Sequence, residues 1–306
     1  MKKTLTTDAW QQLVSLGVAE VKALLTAYKL QVTAVSPLSA AAAAAFAGAG
    51  ALDAAKTQLQ KRGLLEATGV KPGAELLAVK GALEVLARPS LELMVVKLKP
   101  TASQPQSLTF AIGAQQSCLF FLSAEGLEVG AAIPNTQLFS ILSRDLKGAK
   151  DDDFKPWEVL PMHYQLLLAV RHVGLLNKKS FPKDALVALV SALELDAKES
   201  AALITSAVKA GVLVREGAGF SVARAAAALM EKLSSGEMTE LVVRELTARP
   251  GALPKSILFA GAAGQRIRCD RPAANAASKS IPVLTFVPVT PESLGASVGK
   301  WLGLSN

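Results

Sequence analysis

Leu86-Ala87-Arg88-Pro89, running into Leu93-Met94-Val95-Val96, is the junction whose reading decides the fold. Proline withholds a backbone N–H and pushes the residue before it toward extended geometry, so a helix ends here and a strand begins. Two more β-rich runs follow, Leu108–Ile112 and Cys118–Leu122, then Leu127–Ala132, and a helix opens at Pro134. Residues 233–302 repeat that order. A helix end leads into Leu241-Val242-Val243, Ile257-Leu258-Phe259, Ile267–Cys269 and Val283–Val287, and a helix follows Pro291.

The repeat extends outward at an offset of 147 to 149 residues. Trp10 meets Trp157, Lys61 and Gly63 meet Lys209 and Gly211, and Phe110-Ala111 meets Phe259-Ala260. Solenoid repeats run ~20–50 residues, so this period points instead to two copies of one α/β unit. Strands a few residues apart pair antiparallel, because a parallel crossover needs a dozen or more. The expected class is therefore α+β: an internal duplication of helices, a four-stranded antiparallel meander and a closing helix, the halves related by a pseudo-two-fold axis. The first repeat spans 1–147 and the second 157–306. The linker between them, 148–156, holds Gly148, Asp151-Asp152-Asp153 and Pro156. Cys118–Leu122 and Ile281–Val287 are apolar enough that an exposed edge there would recruit other strands. The two sheets are accordingly expected to meet and bury one another.

Apolar spacing of three and four predicts helices over 8–28, 38–49 and 52–62, the last stopping at Gly63, and over 74–87, stopping before Pro89. Leu64–Val70 reads as a short hairpin. The second copy is expected to open a helix at Trp157 and to carry helices 186–195, 198–210 and 222–235.

Hydrophobic residues make up 51% of the chain against 19% charged, a globular balance. Aromatics are only 5%, thin for a base-stacking surface. The surplus of +8 is diffuse: 15 basic against 10 acidic residues in 1–150, and 18 against 15 in the remainder. That favours an anionic partner only mildly. Asp8, Trp10, Gln11 and Gln12 stand where a signal peptide would need an apolar core, and no run reaches a membrane span, so a soluble, cytoplasmic protein is expected.

No chemistry-bearing motif emerges. His163 and His172 lie nine apart on a helix, facing opposite sides, with no second ligand at zinc spacing. Asp151–Asp153 lacks the ordered pattern of a calcium loop. Gly48-Ala-Gly50 lies between helices and Gly261–Gly264 between strands, so neither has the context of a phosphate-binding loop. Cys118 and Cys269 read as buried apolar residues. The expectation is a protein that is not an enzyme, with no catalytic, cofactor or metal residues. Arg266 and Arg268 share a strand face opposite Ile267 and Cys269. They read as a polar-out strand, and are the candidates for a protein-contact surface.

Nucleic-acid binding is the alternative. Helices 38–49 and 52–62 with the 64–71 ribbon have a winged-helix order, in which Lys56, Lys61 and Arg62 could meet phosphates and base edges. Helices 186–195 and 198–210 with the 212–221 ribbon form the second copy, offering mainly Thr205, Ser206 and Lys209.

The layout of the chain resembles the EspG proteins of type VII (ESX) secretion. The likeness sits in Leu83-Glu-Val-Leu-Ala-Arg-Pro-Ser-Leu-Glu-Leu93 and in the progression Phe110-Ala-Ile-Gly113, strand, Leu127-Glu-Val129, helix. The resemblance implies a non-catalytic cytosolic chaperone or adaptor whose partner is a protein client, a helical secretion substrate. No catalytic or binding motif transfers with it.

Overall fold

The structure, a computed structural model, describes residues 12–44, 49–66, 74–99, 104–146, 156–246, 254–261, 266–270 and 283–304. The first half runs β1 (Val14–Gly17), α1 (Val18–Ala27), α2 (Ser39–Ala43), α3 (Ala49–Lys61), α4 (Ala74–Ala87), β2 (Leu91–Leu98), β3 (Gln106–Ile112), β4 (Gln116–Leu122), β5 (Gly126–Val129), β6 (Ile133–Pro134) and α5 (Asn135–Leu146). The second runs β7 (Trp157–Val159), α6 (Pro161–His172), β8 (Phe181–Pro182), α7 (Lys183–Ser191), α8 (Ala197–Lys209), β9 (Leu213–Glu216), β10 (Gly219–Val222) and α9 (Arg224–Ser234). It continues through β11 (Met238–Glu245), β12 (Lys255–Ala260), β13 (Ile267–Asp270), β14 (Leu284–Pro288) and α10 (Pro291–Leu294), which passes into a π-helical stretch, Gly295–Gly299.

The class is α+β. Among the described residues eleven strands form one sheet in the order β1-β5-β4-β3-β2-β11-β12-β13-β14-β7, with β6 on β4; a second sheet runs β8-β10-β9. At the centre β2 and β11 pair antiparallel along their whole length, Leu91 opposite Glu245 and Leu98 opposite Met238. A rotation about the point between Met94–Val95 and Leu241–Val242 exchanges the two strands. The two sheets thus meet edge to edge as one continuous sheet, and β4 and β14, the strands whose apolar runs would be hazardous as exposed edges, lie inside it.

Local sequence accounts for much of this. In α4 the buried Leu76, Val79, Leu83 and Leu86 fall at spacings of three and four, and Pro89 stops the helix. Gly63, at φ 68, closes α3 in the left-handed geometry that glycine adopts without strain. Asp196 accepts from the Glu199 N–H at 2.7 Å while the Glu199 carboxylate accepts from the Asp196 N–H at 3.0 Å, a capping box that starts α8.

Four expectations are corrected. Val14–Gly17 is a strand, not the middle of a helix 8–28, because β5 supplies ladder partners from Val14↔Val129 to Gly17↔Gly126. Trp157 is likewise in a strand, opposite Phe286, and its helix begins only at Pro161. Each meander therefore gains a fifth strand. Helix 38–49 is shorter than expected, ending at Ala43, and Leu64–Glu66 is not a strand. Asp8, Trp10, Ala67–Val70, the Asp151–Asp153 run and Gly264 lie outside the described residues.

One sheet face carries α5 and the C-terminal helix over a core that includes Leu93, Phe110, Leu138, Leu241, Phe259, Val298 and Leu302. The other face carries two separate helical layers. One, from α1, α3 and α4, packs on Ala111, Cys118 and Phe120. The other, from α6 to α9, packs on Leu258, Ile267, Cys269 and Phe286.

Candidate protein-binding slot

Between those two helical layers lies a strip of sheet that neither covers. Alternation puts Glu92, Met94 and Val96 of β2 on this face, opposite Arg244, Val242 and Glu240 of β11. Met94, Val96 and Val242 are only half-buried, whereas Leu93, Val95, Leu241 and Val243, on the other face of the same strands, are 0–2% exposed. The contrast marks an open apolar floor beneath a closed core.

The width of the opening follows from sheet geometry. Helix α4 packs over β3 and β4, and α9 over β12. Strands are ~4.8 Å apart, which separates the two helices by roughly 17 Å. Packed helices lie 8–10 Å from their neighbours, so the gap is about one helix wide. At one end Arg244 Nη2 meets Glu92 Oε1 at 3.4 Å. Beyond that ion pair is a hollow of about 430 Å³ lined by Val35, Pro37, Thr109, Phe120 and Leu122, in which Val35 is 47% and Leu122 52% exposed. Sequence reading missed this site, because its floor comes from two strands nearly half the chain apart.

The residues singled out from sequence are scattered. Arg266 and Arg268 do share a face opposite Ile267 and Cys269, but that face is roofed by the C-terminal helix, which corrects the polar-out reading. Arg266 is 6% exposed, donates to Thr239 Oγ1 at 3.1 Å and lies 3.5 Å from Glu237. Arg268 donates to the Ser293 carbonyl at 2.9 Å and Ser297 Oγ at 3.0 Å, fastening that helix to the sheet. Lys56 is exposed and pairs with Asp53 at 3.0 Å. Lys61 is exposed in the last turn of α3. Arg62 is exposed and folded back along the surface, donating to both Glu20 oxygens at 3.0 and 3.1 Å and to the Ser15 carbonyl at 2.7 Å, so it ties α3 to β1 and α1.

His163 is buried, its Nε2 3.0 Å from Ser206 Oγ, and burial lowers its pKa below the ordinary 6.5. His172 is exposed. Cys118 is buried and its thiol pKa is pushed upward by desolvation, the opposite of a reactive thiolate. Among the described residues no group of three His, Cys, Asp or Glu could hold a metal, and no helix is long and apolar enough to cross a membrane.

No protein-family model matches the chain, and no curated protein does. Among solved structures it is similar to the Mycobacterium tuberculosis type VII secretion system chaperone EspG5, determined in complex with a PE25–PPE41 dimer. That chain is 13% identical, with 96% of this chain and 97% of that one covered, at a TM-score of 0.46. The slot is therefore read from its own geometry.

Proposed function

We propose that this protein is a non-catalytic adaptor or cytosolic chaperone that holds one apolar-faced helix of a protein client in the slot over β2 and β11. The observation that carries the reading is the half-buried strip Met94, Val96 and Val242 between two helical walls about one helix apart. A helix with apolar residues at i, i+3, i+4 and i+7 would complete that layer, with the Glu92–Arg244 pair as a polar stop at one end. A secretion substrate is the kind of client intended, presented in the cytoplasm before export. In this reading residues 1–147 and 157–306 are copies of one unit joined by 148–156, and the slot forms only because the copies meet at β2 and β11.

Photo-crosslinking from position 242 in cells of the source organism tests it. The expected result is capture of a protein through residues on one stripe of a helix, with loss of capture when Met94→Arg is added. Capture of nucleic acid, or protein capture indifferent to Met94→Arg, would overturn the reading.

A further inference from the structure

A second site lies on the far helical layer. The succession α6, β8, α7, α8, β9, β10, with β8 pairing β10 and β10 pairing β9, is a winged helix, and its β9–β10 hairpin leans toward α7 and α8. Between hairpin and helices is a half-open cavity of about 620 Å³, within the range of ligand sites. Its apolar wall includes Val187, Ile204 and Phe220. Among the described residues its charged lining is Lys183 and Arg215, both exposed, and neither makes an ion pair. The Arg215 guanidinium lies 5.9 Å from the centre of the Phe220 ring, which holds it over the apolar wall.

Two classes of partner use winged helices, and the charge separates them. Residues 181–222 carry four basic side chains, Lys183, Lys198, Lys209 and Arg215, against five acidic ones, Asp184, Glu194, Asp196, Glu199 and Glu216. A phosphate-reading surface needs a basic footprint, and these elements around the cavity, α8 and the wing included, carry no basic excess; Arg171, Lys178 and Lys179 of the same module lie outside the cavity lining. At the start of α8 the Asp196 carboxylate accepts from the Glu199 N–H and the Glu199 carboxylate from the Asp196 N–H, so two acidic side chains crowd that helix end and the charge for anion recognition comes from Lys183 and Arg215. We infer that this cavity binds a short acidic–aliphatic peptide segment, one carboxylate between Lys183 and Arg215 and an aliphatic side chain against Ile204 and Phe220. A half-open trough suits an extended chain passing through, whereas a small molecule would need deeper enclosure. The inference is independent of the slot over β2 and β11.

The probe is a short fluorescein-labelled peptide alternating leucine and glutamate, titrated into the full chain by anisotropy while the Ile204 methyl signal is followed by NMR. The acidic peptide should bind and shift Ile204. The matched peptide with glutamine for glutamate should bind at least about tenfold more weakly, the worth of one charge-assisted hydrogen bond. Lys183→Glu with Arg215→Glu should abolish binding, and Val242→Arg should leave it unchanged. Equal binding of the glutamine peptide, an unmoved Ile204 signal, or displacement by duplex DNA with the same methyl shift would each overturn the inference.

Discussion

The Asn135 side chain reaches from the start of α5 to the far end of the chain, its Nδ2 donating to the Leu302 carbonyl at 3.0 Å. The same nitrogen lies 3.1 Å from the Gly113 carbonyl, and its Oδ1 accepts from Ser117 Oγ at 2.5 Å. Asn135 is 3% exposed and Ser117 fully buried, so water cannot replace these bonds. One amide thus joins the β3–β4 turn, β4 and the C-terminal helix of the other half.

Asn135→Ala should lower stability by about 2–4 kcal/mol, since it strands a buried hydroxyl and buried carbonyls. Urea denaturation should show an earlier midpoint at unchanged slope. Hydrogen exchange should show protection lost first around Val298–Leu302. Uniform loss across both halves would mean that the bond does not pin the C-terminal helix.

Gly126 faces Gly17 across β5 and β1, and a Cβ there would fall inside contact distance of the Leu16 carbonyl oxygen. Gly126→Ala should cost about 1–3 kcal/mol by prising β1 from the sheet edge. Gly50 in α3 has open space at its Cβ position. Gly50→Ala should be neutral, or stabilising by up to about 1 kcal/mol. Matched thermal melts of the two variants check the contrast.

Because burial depresses the His163 pKa, the folded state holds the imidazole neutral to lower pH than the unfolded chain, which takes up a proton near 6.5. The unfolded state therefore binds more protons below that pH, and the stability held above 6.5 is lost as pH falls through it. His163→Gln, which retains a partner for Ser206, should flatten the profile between pH 7 and 5. An unchanged slope in the variant would assign the pH dependence to other groups.

Expressed separately, residues 1–150 and 151–306 should self-associate or precipitate, since each then exposes a long apolar strand, β2 or β11, as an edge. The intact chain should unfold in one transition. Two soluble, monomeric fragments that unfold cooperatively would show that the halves are separate domains.

How far the sequence could be read depends on where each element gets its stability. The α4–β2 junction was legible because Pro89 and the period of Leu76, Val79, Leu83 and Leu86 act locally. The end of α3 was legible from Gly63 for the same reason. Val14–Gly17 was not, since its apolar residues continue the rhythm of α1 and only the ladder with β5 makes it a strand. Arg266 misled because alternation tells which residues share a face, but not that a helix roofs it. The slot was invisible for a related reason. Met94 and Val242 become neighbours only when β2 and β11 pair, and no local signal announces that partnership.

The pairing of Val95 with Leu241 also sets a timetable. At synthesis rates of roughly 5–20 residues per second, β11 leaves the ribosome about 7–30 s after β2. Throughout that interval the nascent first half carries its longest apolar strand as an open edge, in a crowded cell, with α1 to α4 already made and α5 soon after. The delay is far longer than hairpin formation, which takes microseconds. Each new molecule is therefore most vulnerable to its neighbours on a polysome, where identical half-chains present identical unpaired strands side by side. Slowing translation beyond Leu146 should lower the soluble yield, and a trigger for misassembly would act before the chain is finished.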